Sequence, residues 1–96
     1  METKVFEIKT LTTSGVEFEV KENDAKSCFI FMNEEGTSDA TVTFEKGNTV
    51  HGMESKVTVP KSSNIAVPVN SGYHVNTNTG KIKIKGTIKA ALVVKP

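Results

Sequence analysis

Along most of the chain, apolar and polar residues take turns, and a turn signal cuts each run short. Val16-Glu17-Phe18-Glu19-Val20, Ala40-Thr41-Val42-Thr43-Phe44-Glu45 and Lys81-Ile82-Lys83-Ile84-Lys85 are the clearest runs. A period of two puts every second side chain on one face of a strand, so one face is buried and the other wetted. Nowhere do apolar positions hold helical spacing for three turns. The pattern predicts strands near 3–9, 15–21, 27–33, 39–46, 55–60, 64–69, 72–76, 80–85 and 88–94. Ser14-Gly15, Asn33 to Gly36, Lys46-Gly47-Asn48, Ser71-Gly72, Asn76 to Gly80 and Gly86-Thr87 separate them. Gly and Asn accept positive φ, and Ser, Thr and Asn side chains bond nearby backbone in turns. Only Lys21 to Ser27 offers a helical turn. The expected fold is an all-β antiparallel sandwich of about seven to nine short strands. It forms one domain over residues 1–96, with no second core and no linker.

The alternation also assigns faces. Phe18, Val42, Phe44, Val57, Val59, Ile82 and Ile84 each sit between polar neighbours and are expected on inner faces. Pro68 lies inside the run Ile65 to Val69 and lacks an N–H for the ladder, which marks an edge strand. Pro60 closes the run Val57-Thr58-Val59. Cys28 to Met32 and Ala90 to Val94 are apolar on both faces. The outer face of a sandwich is normally wet. These two strands should therefore lie mid-sheet beneath the N-terminal segment or a loop, or else form a patch that another subunit covers.

Composition narrows the function classes. Twelve Lys and no Arg stand against eleven acidic residues, a net charge of +1. Nucleic-acid binders usually carry a strong basic excess, and Arg is the residue of bidentate phosphate recognition. The core-facing positions of Phe18 and Phe44 also argue against a base-stacking platform. Cys28 is the only cysteine, so an intrachain disulfide is impossible and a buried, inert thiol in a reducing cytoplasm is expected. Met1-Glu2-Thr3-Lys4 does not read as a signal peptide, and no apolar run approaches the length of a membrane span.

The candidate chemistry is sparse. His51 and His74 have no third ligand at a metal-binding spacing. Ser71 and His74 lie near each other without a Gly-x-Ser-x-Gly elbow or an acid partner, and no phosphate-binding glycine motif is present. Tyr73 is expected to pack at a corner with its hydroxyl on backbone. The reading is therefore a non-enzyme with no catalytic, cofactor-binding or metal-ligating residues. Lys81, Lys83 and Lys85, with Lys89 just past the turn, form a basic stripe. It is expected to be a solvated face that blocks edge-to-edge aggregation, with docking to an acidic surface as the functional alternative. Glu17 and Glu19 form a matching acidic stripe suited to cross-strand pairing.

One resemblance adds to this. Its phrases are Leu11 to Val20 with the Ser14-Gly15 turn, Asp24-Ala25-Lys26 leading into an apolar strand that ends at Asn33, and Ala40 to Phe44 with Lys46-Gly47-Asn48. Val57 to Pro60 with Ser62-Ser63, Val67 to Tyr73, and the closing Gly80 to Ile84 complete the set. Their order resembles the small immunoglobulin-like proteins that tailed bacteriophages encode near the major capsid gene and use to decorate the outside of the head. The resemblance implies an immunoglobulin-like antiparallel β-sandwich with no active site and no cofactor. It implies the major capsid protein as partner, with no nucleic acid and no membrane. The place of action would be the capsid surface of the virion, after synthesis in the bacterial host cytoplasm. Under it, the N-terminal segment Met1 to Ile8 would serve as a docking arm, with Thr3, Lys4, Val5 and Phe6 as partner contacts beside loops at one end of the sandwich. A phage tail or neck component and a bacterial surface adhesion or glycan-binding module are the alternatives. The absence of Trp and the single Tyr weigh against a glycan platform.

Overall fold

The computed structural model describes residues 4–20 and 23–94, with side chains from Glu7 onward. Its strands are β1 Lys4–Thr10, β2 Val16–Glu19, β3 Ser27–Asn33, β4 Ala40–Phe44, β5 Ser55–Val59, β6 Ser63–Pro68, β7 Val75–Asn76, β8 Lys81–Lys85 and β9 Lys89–Val94. They form two sheets, ordered β1-β9-β3-β6 and β2-β8-β4-β5, with the short β7 against β8. Every pairing is antiparallel. This is the two-sheet sandwich that the alternation predicts.

The strand order carries information that the alternation does not. With β7 set aside, the pairs nest: β4 with β5, β3 with β6, β2 with β8 and β1 with β9. The chain is one long hairpin, rolled so that successive pairs fall in alternate sheets. Contacts β9–β3 and β8–β4 close the roll. That is the jelly-roll order. It departs from the immunoglobulin arrangement, in which the first strand pairs with the second. Here β2 crosses to the other sheet at the Thr12–Gly15 turn. Gly15 has φ 105° there, and a Cβ on it would meet the Lys83 side chain at 2.5 Å. Alternation tells which face a residue occupies, not which strand lies beside it, so both orders fit the same pattern.

The core forms where the inner faces meet. Phe29 and Phe31 from β3 interleave with Phe18 and Phe44 from the other sheet, with ring centroids 5.3 to 6.1 Å apart. Leu92, Val42, Val59, Ile82 and Ile84 fill the space around them. Each such side chain contributes about 1.5–3 kcal/mol when fully buried. All the expected inner-face residues are buried except Val57, which is half-buried on edge strand β5 and packs against the core. Pro68 ends β6, which is a sheet edge, and Pro60 directly follows β5.

Two polar devices tie the sheets together. Asn33, at the end of β3, is buried, and its Nδ2 lies 3.1 to 3.2 Å from the carbonyls of Ser38, Val59 and Pro60. It holds the end of one sheet to the end of the other. Asp24 sits in a short 3-10 turn (Asp24–Lys26), inside the segment where a helical turn is expected. Its Oδ2 accepts from Ser71 N at 2.9 Å and Ser71 Oγ at 3.0 Å.

The same contact explains a difference from expectation. Residues 72–76 do not form one strand; Ser71–His74 is a helical turn and only Val75–Asn76 is β. The Asn70 side chain caps the turn by accepting from Tyr73 N at 3.3 Å, and Asp24 satisfies Ser71. Side-chain acceptors at a helix start satisfy donors that a strand would have offered to its neighbour.

Candidate interaction surface

Register fixes which residues share each outer face, because directly paired residues point the same way. On the β1-β9-β3-β6 sheet, Phe29 and Phe31 point inward, so Cys28, Ile30 and Met32 point outward. Ile8, Ala91, Ile30 and Ala66 then form one row across the four strands. Val93, Cys28 and Pro68 form the next, and Lys89, Met32 and Asn64 the third. Ile8 is 61% exposed. Ala66 and Pro68 are exposed, Cys28, Ile30 and Met32 half-buried, and the small central Ala91 and Val93 buried. The two apolar strands therefore lie side by side mid-sheet, and their outer face is apolar and partly open. Cys28 departs from the expected buried thiol for the same reason: the phenylalanines beside it take the inward positions.

The expectation of cover by the N-terminal segment is corrected for the described part. Lys4–Thr10 lies beside β9 as an edge strand rather than over the sheet. Lys4 pairs with Val94 and Val5 with Val93, and Phe6 falls at the irregularity between Val5 and Glu7. From Lys4 onward the segment belongs to the sheet and is no free arm. Thr3, the remaining candidate contact, lies outside the described residues.

Where β1 approaches β2, the sandwich is closed by polar groups. Glu7 Oε1 accepts from Glu19 N at 3.0 Å, and Glu7 Oε2 lies 2.9 Å from Lys9 Nζ. Lys9 Nζ also donates to Glu17 O at 2.6 Å and lies 5.5 Å from the Phe18 ring centroid.

The opposite outer face has the contrary character. Glu17 pairs in register with Lys83, Glu19 with Lys81, and Thr43 with Lys85 and Lys56. The ion pairs, however, run to Glu45, whose carboxylate lies 3.5 Å from Lys83 Nζ and 3.7 Å from Lys85 Nζ. Glu45 follows the end of β4 beside β8, so the lysine stripe reaches it along the sheet. Its Oε2 has no hydrogen bond but takes the Lys83 ion pair.

One end of the sandwich is a fastened loop. Gly47 N and Met53 N donate to Tyr73 O at 2.9 and 3.1 Å, and Thr49 Oγ1 donates to Gly72 O at 2.7 Å. A Cβ at Gly47 would lie 2.5 Å from Val75 O, so the close crossing needs glycine. The loop holds up Val50, which is 95% exposed. Tyr73 is itself exposed, contrary to the packing role expected of it. Its neighbour His74 takes that role, buried with its ring stacked on Phe44 at 5.0 Å.

The sequence offers His74 only as a weak metal ligand or a neighbour of Ser71, not as a core residue. The turn that aims it inward depends on Asp24, 50 residues upstream. Burial pushes the His74 pKa down, opposed by the backbone of Glu45 and Met53, and its Nδ1 is buried without a partner.

Depressions on the surface include two lined by described residues. One, of about 450 Å³, lies at the end of the apolar face beside Met32, Glu34, Ile88 and Lys89. The other, of about 180 Å³, is lined by His74 and by Glu17, Glu45, Lys46, Lys81 and Lys83, and so carries both signs of charge. Among the described residues, no group of three or more His, Cys, Asp or Glu is placed to hold a metal, and no helix is long and apolar enough to cross a membrane. No protein-family model, curated protein or solved structure matches the chain.

Proposed function

We propose that this chain is a non-enzymatic attachment protein that binds the outer surface of a bacteriophage head and stabilises or decorates it. The observation that carries the reading is the contrast between the two outer faces. One sheet presents Ile8, Ile30, Met32, Ala66 and Pro68, and the other presents Glu17, Glu19, Lys81, Lys83 and Lys85. A protein that seats on a shell needs one side that leaves water and one that stays in it. The order of phrases, which resembles that of phage decoration proteins, favours a capsid as the shell. The jelly-roll order does not choose among functions, since that architecture serves both viral capsid and lectin domains.

The test is sedimentation of the purified protein with undecorated heads, with free major capsid protein and with an unrelated particle. The reading expects saturable retention by heads and weak binding to the free subunit. A single subunit offers a limited contact, whereas an assembled shell holds several in fixed register, so further contacts add without a second loss of translational entropy. Retention by tail tubes, or formation of rings alone, would favour a tail component. Binding to a glycan array without binding to heads would favour a surface module.

A further inference from the structure

Resting on that attachment reading, we propose that the outer face of the β1-β9-β3-β6 sheet is the docking face. Its occupant is an uncharged, apolar strip of the shell where neighbouring capsid subunits meet, and the protein itself stays monomeric in solution.

The chemistry of the occupant follows from that of the face. Over the two central strands, every outward position from Cys28 to Met32 and from Ala91 to Val93 is uncharged, and Lys89 enters only in the last row. A charged partner surface would bury its groups there unpaired, which is costly. In the other sheet, β2, β5 and β8 carry Glu17, Glu19, Lys56, Lys81, Lys83 and Lys85 outward, and β4 carries the polar Thr41 and Thr43. The apolar outer face is therefore local to one sheet. Ile8, Ile30 and Met32 supply its branched and flexible side chains, and methionine adapts well to an irregular counter-surface.

Area argues against a second copy. At the usual strand spacing and rise, a four-stranded face three rows deep is about 19 Å by about 20 Å, or about 400 Å². A face-to-face pair would bury about 800 Å² in total, short of the about 1,200–2,000 Å² of stable interfaces. A valley between two shell subunits can reach the rims as well. One rim holds the depression of about 450 Å³ beside Met32 and Lys89, with room for a projecting side chain.

The experiment uses empty heads of tailed bacteriophages, assembled from purified major capsid protein. Ile8→Lys with Ala66→Glu places two charges on the face at positions that are already exposed. Circular dichroism and thermal melting show whether the fold is intact. The proposal expects wild-type retention to survive about 1 M salt, where the screening length is about 3 Å. It expects the Ile8→Lys/Ala66→Glu protein to bind at least about ten-fold more weakly, the scale of losing one packed anchor. Lys81→Gln/Lys83→Gln/Lys85→Gln, and separately Val50→Ser, should bind within about two-fold of wild type.

A second readout needs no variant. Alkylation of the Cys28 thiol should slow when the protein is on heads. Undiminished binding of the folded face variant, or unchanged Cys28 labelling, overturns the face assignment and leaves the attachment reading standing. Failure of wild type to sediment with heads overturns both. A wild-type dimer at micromolar concentration that the face variant dissolves assigns the face to a second copy, and overturns the proposed occupant.

Discussion

Truncating Phe44 to alanine probes the junction on which the account of the core depends. Phe44 is 3% exposed, and its ring lies 5.6 Å from Phe29, 5.7 Å from Phe31 and 5.0 Å from His74. It joins the two sheets and also forms the floor beneath the helical turn. Removing a ring so enclosed leaves a cavity that backbone on several strands cannot easily fill, and costs about 3–5 kcal/mol. A domain of this length has about 5–14 kcal/mol in total. Each kcal/mol moves the melting point of such a domain by about 4–8 °C, so Tm should fall by at least about 12 °C. Urea titration followed by circular dichroism should show a lower midpoint with an unchanged slope, the signature of altered stability alone. Tyr73→Ala, at an exposed ring, serves as the control and should cost under about 1 kcal/mol. A Phe44→Ala loss no larger than that of Tyr73→Ala would refute the placement of Phe44 in the core.

Three further outcomes are expected. Asn33→Asp replaces an amide donor with a carboxylate facing the Ser38, Val59 and Pro60 carbonyls; it should destabilise by at least about 1–3 kcal/mol near neutral pH, read by urea titration. The folded-state pKa of His74 is depressed, so its neutral form contributes stability that is fully present above its unfolded value of 6.5 and is lost as pH falls through the folded pKa; His74→Gln should flatten the Tm-against-pH profile on the acid side of neutrality, and an unchanged profile would mean that other groups set it. Lys81→Gln/Lys83→Gln/Lys85→Gln should shift stability by no more than about 1 kcal/mol, since its Glu45 ion pairs are partly solvated, and thermal melting checks this.

What was legible in the sequence follows from what alternation encodes. It placed Phe18, Val42, Phe44, Ile82 and Ile84 inside, because each has polar neighbours and a period of two leaves one choice of face. Pro68 revealed an edge because a missing N–H is a local property. The strand order was not legible, since β1–β9 and β3–β6 pairings join residues far apart in the chain through interactions that leave no local mark. The helical turn at Ser71–His74 was missed because its stabilising acceptor, Asp24, is distant in sequence, and with it went the inward aim of His74. The interaction surface was half legible. Cys28 to Met32 and Ala90 to Val94 were visibly two-sided, but only the register shows that they are adjacent and that Ile8 and Ala66 extend them into one face.

The central claim is that this sandwich seats on a phage head by its apolar sheet. Electron cryo-microscopy of heads saturated with the protein tests it most directly. The account predicts density for one sandwich whose β1-β9-β3-β6 sheet faces the shell over a junction between capsid subunits, with Lys81, Lys83 and Lys85 turned to solvent. Heads that stay bare, or density with the lysine-bearing sheet or the Val50 loop against the shell, would contradict it.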